Sequence, residues 1–139
     1  MEECLSGTAC NDGIKIICTP GRFAKENRST TCEACVIGQY GKESQAAECD
    51  KCTPGKSQKE EGQQDCETCG AGKYASEVGA TSCEKCLAGQ YNEYSLMPGC
   101  YQCPSGFAAP QQESTNCEKC NPGMYSRAKD YSVGASKCE

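Results

Sequence analysis

Residues 69–86 read CGAGKYASEVGATSCEKC, and they hold one full copy of a pattern that fills most of the chain. The pattern begins with a Cys, two residues, a Gly and one further residue. A position that is usually aromatic follows, then eight residues and a second Cys, and two residues lead to the next copy. Self-similarity at a short, fixed period is typical of repeat proteins whose units stack on one another. The sequence therefore predicts seven tandem cysteine-rich modules over residues 18–138. They begin at Cys18, Cys35, Cys52, Cys69, Cys86, Cys103 and Cys120.

The two ends of the chain depart from the 17-residue rule. The last module has four additional residues, around Arg127 to Tyr131. Residues 1–17 contain Cys4 and Cys10 outside the rule, and we interpret them as an N-terminal cap or a partial module. Residues 1–3 have neither the basic nor the apolar region of a signal peptide, so we expect a mature piece or an excerpt of a longer chain.

The composition provides little material for a hydrophobic core. Trp is absent and only two Phe occur, whereas there are 16 Cys in 139 residues. So many Cys in a short chain indicate a disulfide scaffold in an oxidising compartment, and we expect a secreted or extracellular-surface protein. The net charge of −5 disfavours nucleic acid as a partner. The one dense apolar stretch, at residues 14–17, is too short for membrane insertion.

The position of Gly predicts a tight turn in every module. A place that only Gly fills usually requires positive φ or a close approach of another backbone. The aromatic residue two places later offers the largest apolar surface of the module, so we expect it to cover the disulfide. No window has the 3.6-residue apolar period of a helix. The predicted fold is small and disulfide-rich: an elongated tandem array of 17-residue single-bridge modules with short β-strands and turns and little or no helix.

Three uses of the cysteines compete. In the first, each module closes on itself, and a ring of about 15 residues contributes around 3 kcal/mol in the chain-entropy model. The pairs would then be Cys4–Cys10, Cys18–Cys32, Cys35–Cys49, Cys52–Cys66, Cys69–Cys83, Cys86–Cys100, Cys103–Cys117 and Cys120–Cys138. In the second, neighbouring modules interlock, for example through Cys32–Cys49 and Cys35–Cys52. That pairing predicts a 34-residue alternation, whereas the sequence repeats at 17.

The third use is zinc, because Cys32-x2-Cys35 followed by Cys49-x2-Cys52 has the spacing of a four-cysteine site. Such sites would leave four cysteines without a role. They would also place a carboxylate beside a thiolate-rich metal centre, since an acidic residue follows the first Cys of five Cys-x2-Cys pairs. We favour disulfides and expect no metal and no other cofactor.

The pattern Cys-x2-Gly-x-Tyr-x8-Cys-x2-Cys resembles the ephrin-receptor-like cysteine-rich repeats of extracellular proteins. It is also similar to the single-bridge half-module of tumour necrosis factor receptor ectodomains, within the growth-factor-receptor-type cysteine-rich class. In that half-module the first Cys bonds the second, so the resemblance implies the self-closing alternative. Long uniform arrays of this kind resemble surface proteins of microbial eukaryotes, which implies a coat or appendage role.

Few residues stand out as functional sites. Asn27-Arg28-Ser29 is an N-glycosylation sequon in a predicted surface loop, so we expect attached glycans at Asn27. Module 5 is unusually apolar in its loop and just after it, and we interpret this patch as a lateral contact. The residues of the patch are Tyr94, Leu96, Met97 and Tyr101.

We expect no catalytic residue, because His, the commonest general base, is absent and the cysteines are committed to bridges. The predicted function is that of an extracellular structural or scaffold repeat protein, as a cell-surface coat, stalk or filament component. Its partners would be copies of itself or other extracellular proteins. The alternative is a receptor-like ectodomain that binds a protein ligand.

The self-closing alternative makes a prediction for peptide mapping without reduction. Proteolysis of the native chain should release disulfide-linked pairs within one module, such as the peptides carrying Cys35 and Cys49. Mass spectrometry should find no cysteine with a free thiol. A linked pair that joins Cys32 to Cys49, or a stoichiometric metal released by a chelator, would contradict it.

Overall fold

The computed structural model describes residues 3–128 and 134–139, and every regular element in this part of the chain is a β-strand. The strands pair in sequence order into seven two-stranded antiparallel sheets, β1 with β2 and so on to β13 with β14. Their bounds are β1 Thr8–Asn11, β2 Ile14–Ile17, β3 Arg22–Phe23, β4 Glu33–Ala34, β5 Gln39–Tyr40, β6 Asp50–Lys51, β7 Lys56–Ser57, β8 Glu67–Thr68, β9 Lys73–Tyr74, β10 Glu84–Lys85, β11 Gln90–Tyr91, β12 Tyr101–Gln102, β13 Phe107–Ala108 and β14 Glu118–Lys119. Within the described ranges, no helix has the length and apolar character needed to cross a membrane.

Each module opens with a tight turn that positions its first strand. In module 1, the amide of Arg22 donates to the carbonyl oxygen of Thr19 at 3.0 Å, and Gly21 at the third position has φ +87°. Pro20 precedes that Gly. This is the residue order of a type II turn, which favours Pro at its second position and requires positive φ at its third. The repeated Gly therefore starts the hairpin of the module.

All 16 cysteines form disulfides, and each module contains its own bridge. The six bridges from Cys18–Cys32 to Cys103–Cys117 join residues 14 apart, while Cys120–Cys138 spans 18 and Cys4–Cys10 spans 6. The structure thus contains the self-closing pairing and not the interlocked one. The predicted fold class, tandem single-bridge modules with short strand pairs, is confirmed.

The first 17 residues contain a hairpin of their own. β1 pairs with β2 in the register Asn11↔Ile14 and Thr8↔Ile17, and the two linking residues, Asp12 and Gly13, have φ of 50° and 81°. Two successive positive φ angles are typical of the type I′ turn, whose twist matches that of paired strands.

This N-terminal segment also begins in the way that a module does. Cys4 is followed three residues later by Gly7, which has φ +82°. The amide of Gly7 donates to the carbonyl of Ala24 at 2.7 Å, just as the amide of Gly21 donates to the carbonyl of Gly41 at 2.8 Å. Residues 4–17 therefore have the opening turn and the backbone contact of a module.

The chain divides into two compact units, each made of several segments. The first unit comprises Met1–Thr53, Ser57–Glu67 and Val78–Ser82, and the second comprises Pro54–Lys56, Thr68–Glu77 and Cys83–Glu139. Within each unit, a module contacts the next module and also the one after it.

In the first unit, backbone hydrogen bonds join successive modules. The amide of Gly38 donates to the carbonyl of Gln58 at 2.7 Å, and the amide of Gly79 donates to the carbonyl of Cys52 at 2.7 Å. Gly38 also meets the module two places ahead, because a Cβ atom on it would overlap the carbonyl oxygen of Gly79. Gly at this position therefore serves two needs, a positive φ of 80° and close backbone contact.

The second unit repeats the same contacts with different side chains. The amide of Leu96 donates to the carbonyl of Cys69 at 3.0 Å, and a Cβ atom on Gly72 would overlap the carbonyl oxygen of Glu113. Leu96 and Glu113 occupy the seventh position after the repeated Gly and have φ of 65° and 62°. The eight-residue segment, interpreted from sequence as a solvated loop, therefore carries a left-handed residue that packs against a module two places earlier.

The last module keeps this register despite its additional residues. The amide of Asn92 bonds the carbonyl of Ser114 at 3.1 Å, and the amide of Ala109 bonds that of Ala135 at 3.0 Å, four residues further along than the repeat alone would place it. The predicted insertion extends into residues 129–133, which lie outside the described residues.

The core consists of sulfur atoms and small side chains. The first Cys is fully buried in most modules, and so is the third residue after the repeated Gly, as at Ala24, Ala75 and Ala109. In module 2, a Cβ atom on Gly41 at this position would lie only 3.1 Å from the Sγ atom of Cys35. The aromatic residue that we expected to cover the bridge precedes this position. It is half-buried at Tyr40 and exposed at Tyr125.

Gly72→Ala should destabilise the chain more than Gly106→Ala. Both glycines have positive φ, of 81° and 86°, which costs an Ala about 1–2 kcal/mol. Only Gly72 packs against a loop two modules ahead, whereas no described residue lies within 4 Å of a Cβ on Gly106. Overpacking should add about 1–3 kcal/mol at Gly72. Guanidinium denaturation with the disulfides intact measures the difference, and equal losses would contradict the contact.

Candidate interaction surface

Module 5 presents a cluster of tyrosines on its hairpin. The strands β11 and β12 pair in the register Tyr91↔Tyr101, and the two rings lie with centroids 5.9 Å apart at an angle of 42°. Aromatic rings at this distance attract one another beyond their burial, so the pair forms a defined surface element. Tyr101 is 54% exposed, which leaves part of the pair open to solvent.

The equivalent hairpin of module 4 has a different chemistry. Tyr74 pairs with Glu84, and its hydroxyl donates to the Glu84 carboxylate at 2.7 Å. This hydrogen bond raises the pKa of the Tyr74 phenol above its ordinary value, with smaller contributions from burial and from the carboxylate charge. Among modules 1 to 6, all except module 5 have an acidic residue at the position of Glu84. These residues are Glu33, Asp50, Glu67, Glu84 and Glu118.

The loop of module 5 adds further apolar surface. Tyr94 is 63% exposed and Leu96 is 50% exposed. Tyr94 also replaces an acidic residue, because Glu26, Glu43, Glu60 and Glu77 hold this position in modules 1 to 4. Module 5 has therefore exchanged two carboxylates for two exposed phenols.

Met97 does not share this exposure. It is half-buried, and its carbonyl accepts a hydrogen bond from the amide of Ala75 at 3.3 Å, in the place where other modules also accept a bond. The tyrosine patch is therefore defined here as Tyr91, Tyr94, Leu96 and Tyr101. Its role as a lateral contact stays a prediction.

Asn92 holds the loop of the tyrosine patch. Its side chain is fully buried, donates from Nδ2 to the carbonyl of Lys73 at 2.8 Å, and accepts at Oδ1 from the amide of Tyr94 at 3.2 Å. Its backbone carbonyl also accepts from the amide of Gly72 at 2.8 Å. A buried amide with both ends bonded links the position of Tyr94 to the module before it.

Gln58 braces the loop of module 3 in the first unit, but its side-chain bonds stay within its own module. It stands at the same module position and is buried, with Nε2 donating to the carbonyl of Asp65 at 2.6 Å and Oε1 accepting from the amide of Glu60 at 3.1 Å. Sequence reasoning missed both residues. The available signal was a polar residue at a position that is otherwise Ala or Gly in modules 1 to 6.

An ion-pair cluster lies elsewhere in the second unit. The Glu113 carboxylate contacts the ammonium groups of Lys73 and Lys85, each at 3.3 Å. The hydrogen bonds to Lys73 and Lys85 lower the pKa of the Glu113 carboxyl. All three side chains are partly exposed, and such pairs contribute little to stability. These ion pairs join the same two modules as the backbone contact between Gly72 and Glu113.

Metal-binding and glycosylation sites were also considered among the described residues. No group of three or more metal-binding side chains comes together among them. Asn27 is exposed in the loop of module 1, as expected for a sequon, and its Oδ1 accepts a hydrogen bond from the amide of Ser6 at 2.9 Å.

Two overlapping segments, residues 38–86 and 55–96, match the family described as "Tyrosine-protein kinase ephrin type A/B receptor-like". The resemblance to ephrin-receptor-like repeats is confirmed over these residues. No curated protein matches the chain. The matched residues include most of module 5. Eight disulfides and this match together indicate an extracellular cysteine-rich module.

Asn92→Ala should weaken the fold and loosen the tyrosine patch together. Ala is the natural residue at this position in modules 1, 4 and 6, so the backbone tolerates it, but two side-chain hydrogen bonds are lost at about 0.5–1.5 kcal/mol each. Denaturation midpoints and amide hydrogen exchange at Tyr94 measure the two effects. Asn116→Ala, at an exposed position, is the control, and unchanged exchange at Tyr94 would contradict the linkage.

Proposed function

We propose that this chain is a structural scaffold of the extracellular surface, a component of a coat, stalk or filament, and that it has no catalytic activity. The observation that carries the proposal is the recurrence of backbone contacts between a module and the two that follow it within each unit. The approach of Gly38 to Gly79 and that of Gly72 to Glu113 are two examples.

Such contacts suit a scaffold because they use the main chain. Hydrogen bonds between backbone groups recur at the same module positions whatever the loop side chains are. One bridge per module also limits how far any loop can open, which makes proteolysis of the chain unfavourable. Within each unit, contacts of this kind hold the surface residues at fixed spacings.

The absence of catalysis in this proposal follows from the composition. The chain has no His, and its sixteen Cys are all bonded to one another. The core is formed by sulfur and small residues, so a water-excluding site with converging acid and base groups has little room to form.

The tyrosine patch is the proposed site of lateral association, and its proposed occupant is a second copy of this chain. Copies with a net charge of −5 repel one another, and the acidic hairpin residue of most modules adds to this repulsion. Module 5 lacks that carboxylate and offers exposed Tyr101 and Tyr94 instead. Two copies would therefore meet most favourably where both present phenols at these two positions, with Glu93 as the remaining carboxylate of the module.

A receptor-like ectodomain is the second candidate. The description of the matched family, which names ephrin receptors, favours it. In that case the tyrosine patch would bind a different protein, and the purified chain would stay monomeric.

The double substitution Tyr94→Glu with Tyr101→Glu should weaken self-association. Both changes restore residues that neighbouring modules carry, so stability should be kept, while charge and lost aromatic area should weaken association on the order of tenfold or more, about 1.4 kcal/mol. Sedimentation velocity over a concentration series measures the effect. Tyr125→Glu, at another exposed tyrosine, is the control.

The outcomes separate the two candidates. Concentration-dependent assembly that is lost only in the double variant supports the scaffold. A wild-type chain that stays monomeric at every concentration contradicts self-association and favours the receptor-like ectodomain.

A further inference from the structure

The loop of module 1 holds a sequon in a specific geometry. Asn27 is exposed, and its Oδ1 already accepts a hydrogen bond from the amide of Ser6 at 2.9 Å. N-linked chemistry uses the other end of the amide, the Nδ2 atom. Asn27 is also the only Asn in the chain that is followed two residues later by Ser or Thr.

We propose that Asn27 carries an N-linked glycan and that the glycan is attached before the N-terminal segment folds onto this loop. In the transfer, a bond forms between Nδ2 and the anomeric carbon of a diphosphate-activated oligosaccharide donor. The bond from that carbon to the diphosphate oxygen breaks, and one Nδ2 proton is released. This inference holds for a scaffold and for a receptor-like ectodomain alike.

The folded loop itself sets the order of events. The sequon requires a hydroxyl at its third residue, yet the Ser29 hydroxyl donates to the carbonyl of Glu26 at 2.7 Å. Arg28 between them is held at φ +65°. The chain therefore cannot present the sequon in an extended form while this loop is closed.

The N-terminal segment fixes the loop from the other side. The amide of Arg28 donates to the carbonyl of Cys4 at 2.8 Å, and the amide of Cys10 donates to the carbonyl of Ser29 at 2.7 Å. Cys4 and Cys10 are joined by a disulfide, so both anchoring groups belong to one closed ring. Formation of this ring and its docking therefore engage two backbone groups of the sequon, the amide of Arg28 and the carbonyl of Ser29.

A glycan attached earlier is compatible with the finished fold. Substitution at Nδ2 leaves Oδ1 in place, so the hydrogen bond to Ser6 is kept. Because Asn27 is exposed, the sugar extends into solvent and displaces no buried group.

The test begins with the full chain secreted by a eukaryotic host whose own secreted proteins carry N-glycans. Glycopeptide mass spectrometry should find the glycan on Asn27, with loss of the glycan in Asn27→Gln and Ser29→Ala and retention in Ser29→Thr. As a matched control, Ser44→Asn with Ala46→Ser creates a sequon at the same place in the loop of module 2. An unmodified Asn27 in this host would overturn the site.

The order of events needs a second measurement. Unglycosylated chain is offered to microsomes with donor, once in its oxidised folded form and once after reduction and unfolding. The reduced chain should gain the glycan and the oxidised chain should not. The Cys4→Ser, Cys10→Ser double variant, with its other disulfides formed, should again be glycosylated at Asn27. Equal glycosylation of the oxidised and reduced wild-type chains would overturn the proposed order.

Discussion

One disulfide per module takes the place of a hydrophobic core. In six modules it closes a ring between residues 14 apart, and the first cysteine of the pair is the buried one in most of them. Ring closure removes conformational freedom from the unfolded chain, so less apolar burial is needed to balance the entropy lost on folding. Small neighbours suit the sulfur atoms, as Gly41 beside Cys35 shows, and Ala or Gly fills the third residue after the repeated Gly in modules 1, 2, 4 and 6.

Once the ring is closed, modules recognise one another through their main chains. A Gly without a side chain lets a loop carbonyl from two modules ahead approach its backbone. The loop residue is Gly79 in one case and Glu113 in another, so the side chain there is not what makes the contact. The sequence is therefore strict at Cys and Gly and variable in the loops, because the loops contribute their backbone to the interface and their side chains to solvent.

Much of this architecture could be predicted from the sequence because it depends on spacing. The 17-residue period predicted one bridge per module, and the repeated Gly predicted positive φ. The left-handed residue in the loop is signalled only in modules 3 and 4, by Gly62 and Gly79, because Gln45 and Leu96 at the same position carry no local signature for φ of 59° and 65°. Contacts two modules apart likewise leave no short-range signal. Of the candidate surface, Tyr94 and Tyr101 were named from the sequence, whereas Asn92 was missed although it is polar at a position that is mostly Ala or Gly.

Module 5 does not need exposed tyrosines in order to pack against its neighbours. The contacts that join modules use backbone groups and the buried Asn92, and none of them requires an apolar side chain at positions 94 and 101. Most other modules have a carboxylate at the position of Tyr94, and the other described modules have one at the position of Tyr101. Carboxylates hydrate well and keep acidic copies apart. An exposed phenol at both positions leaves apolar ring surface in water, which is unfavourable. Contact with a surface outside this module would remove that ring surface from water, as the proposed association of two copies requires.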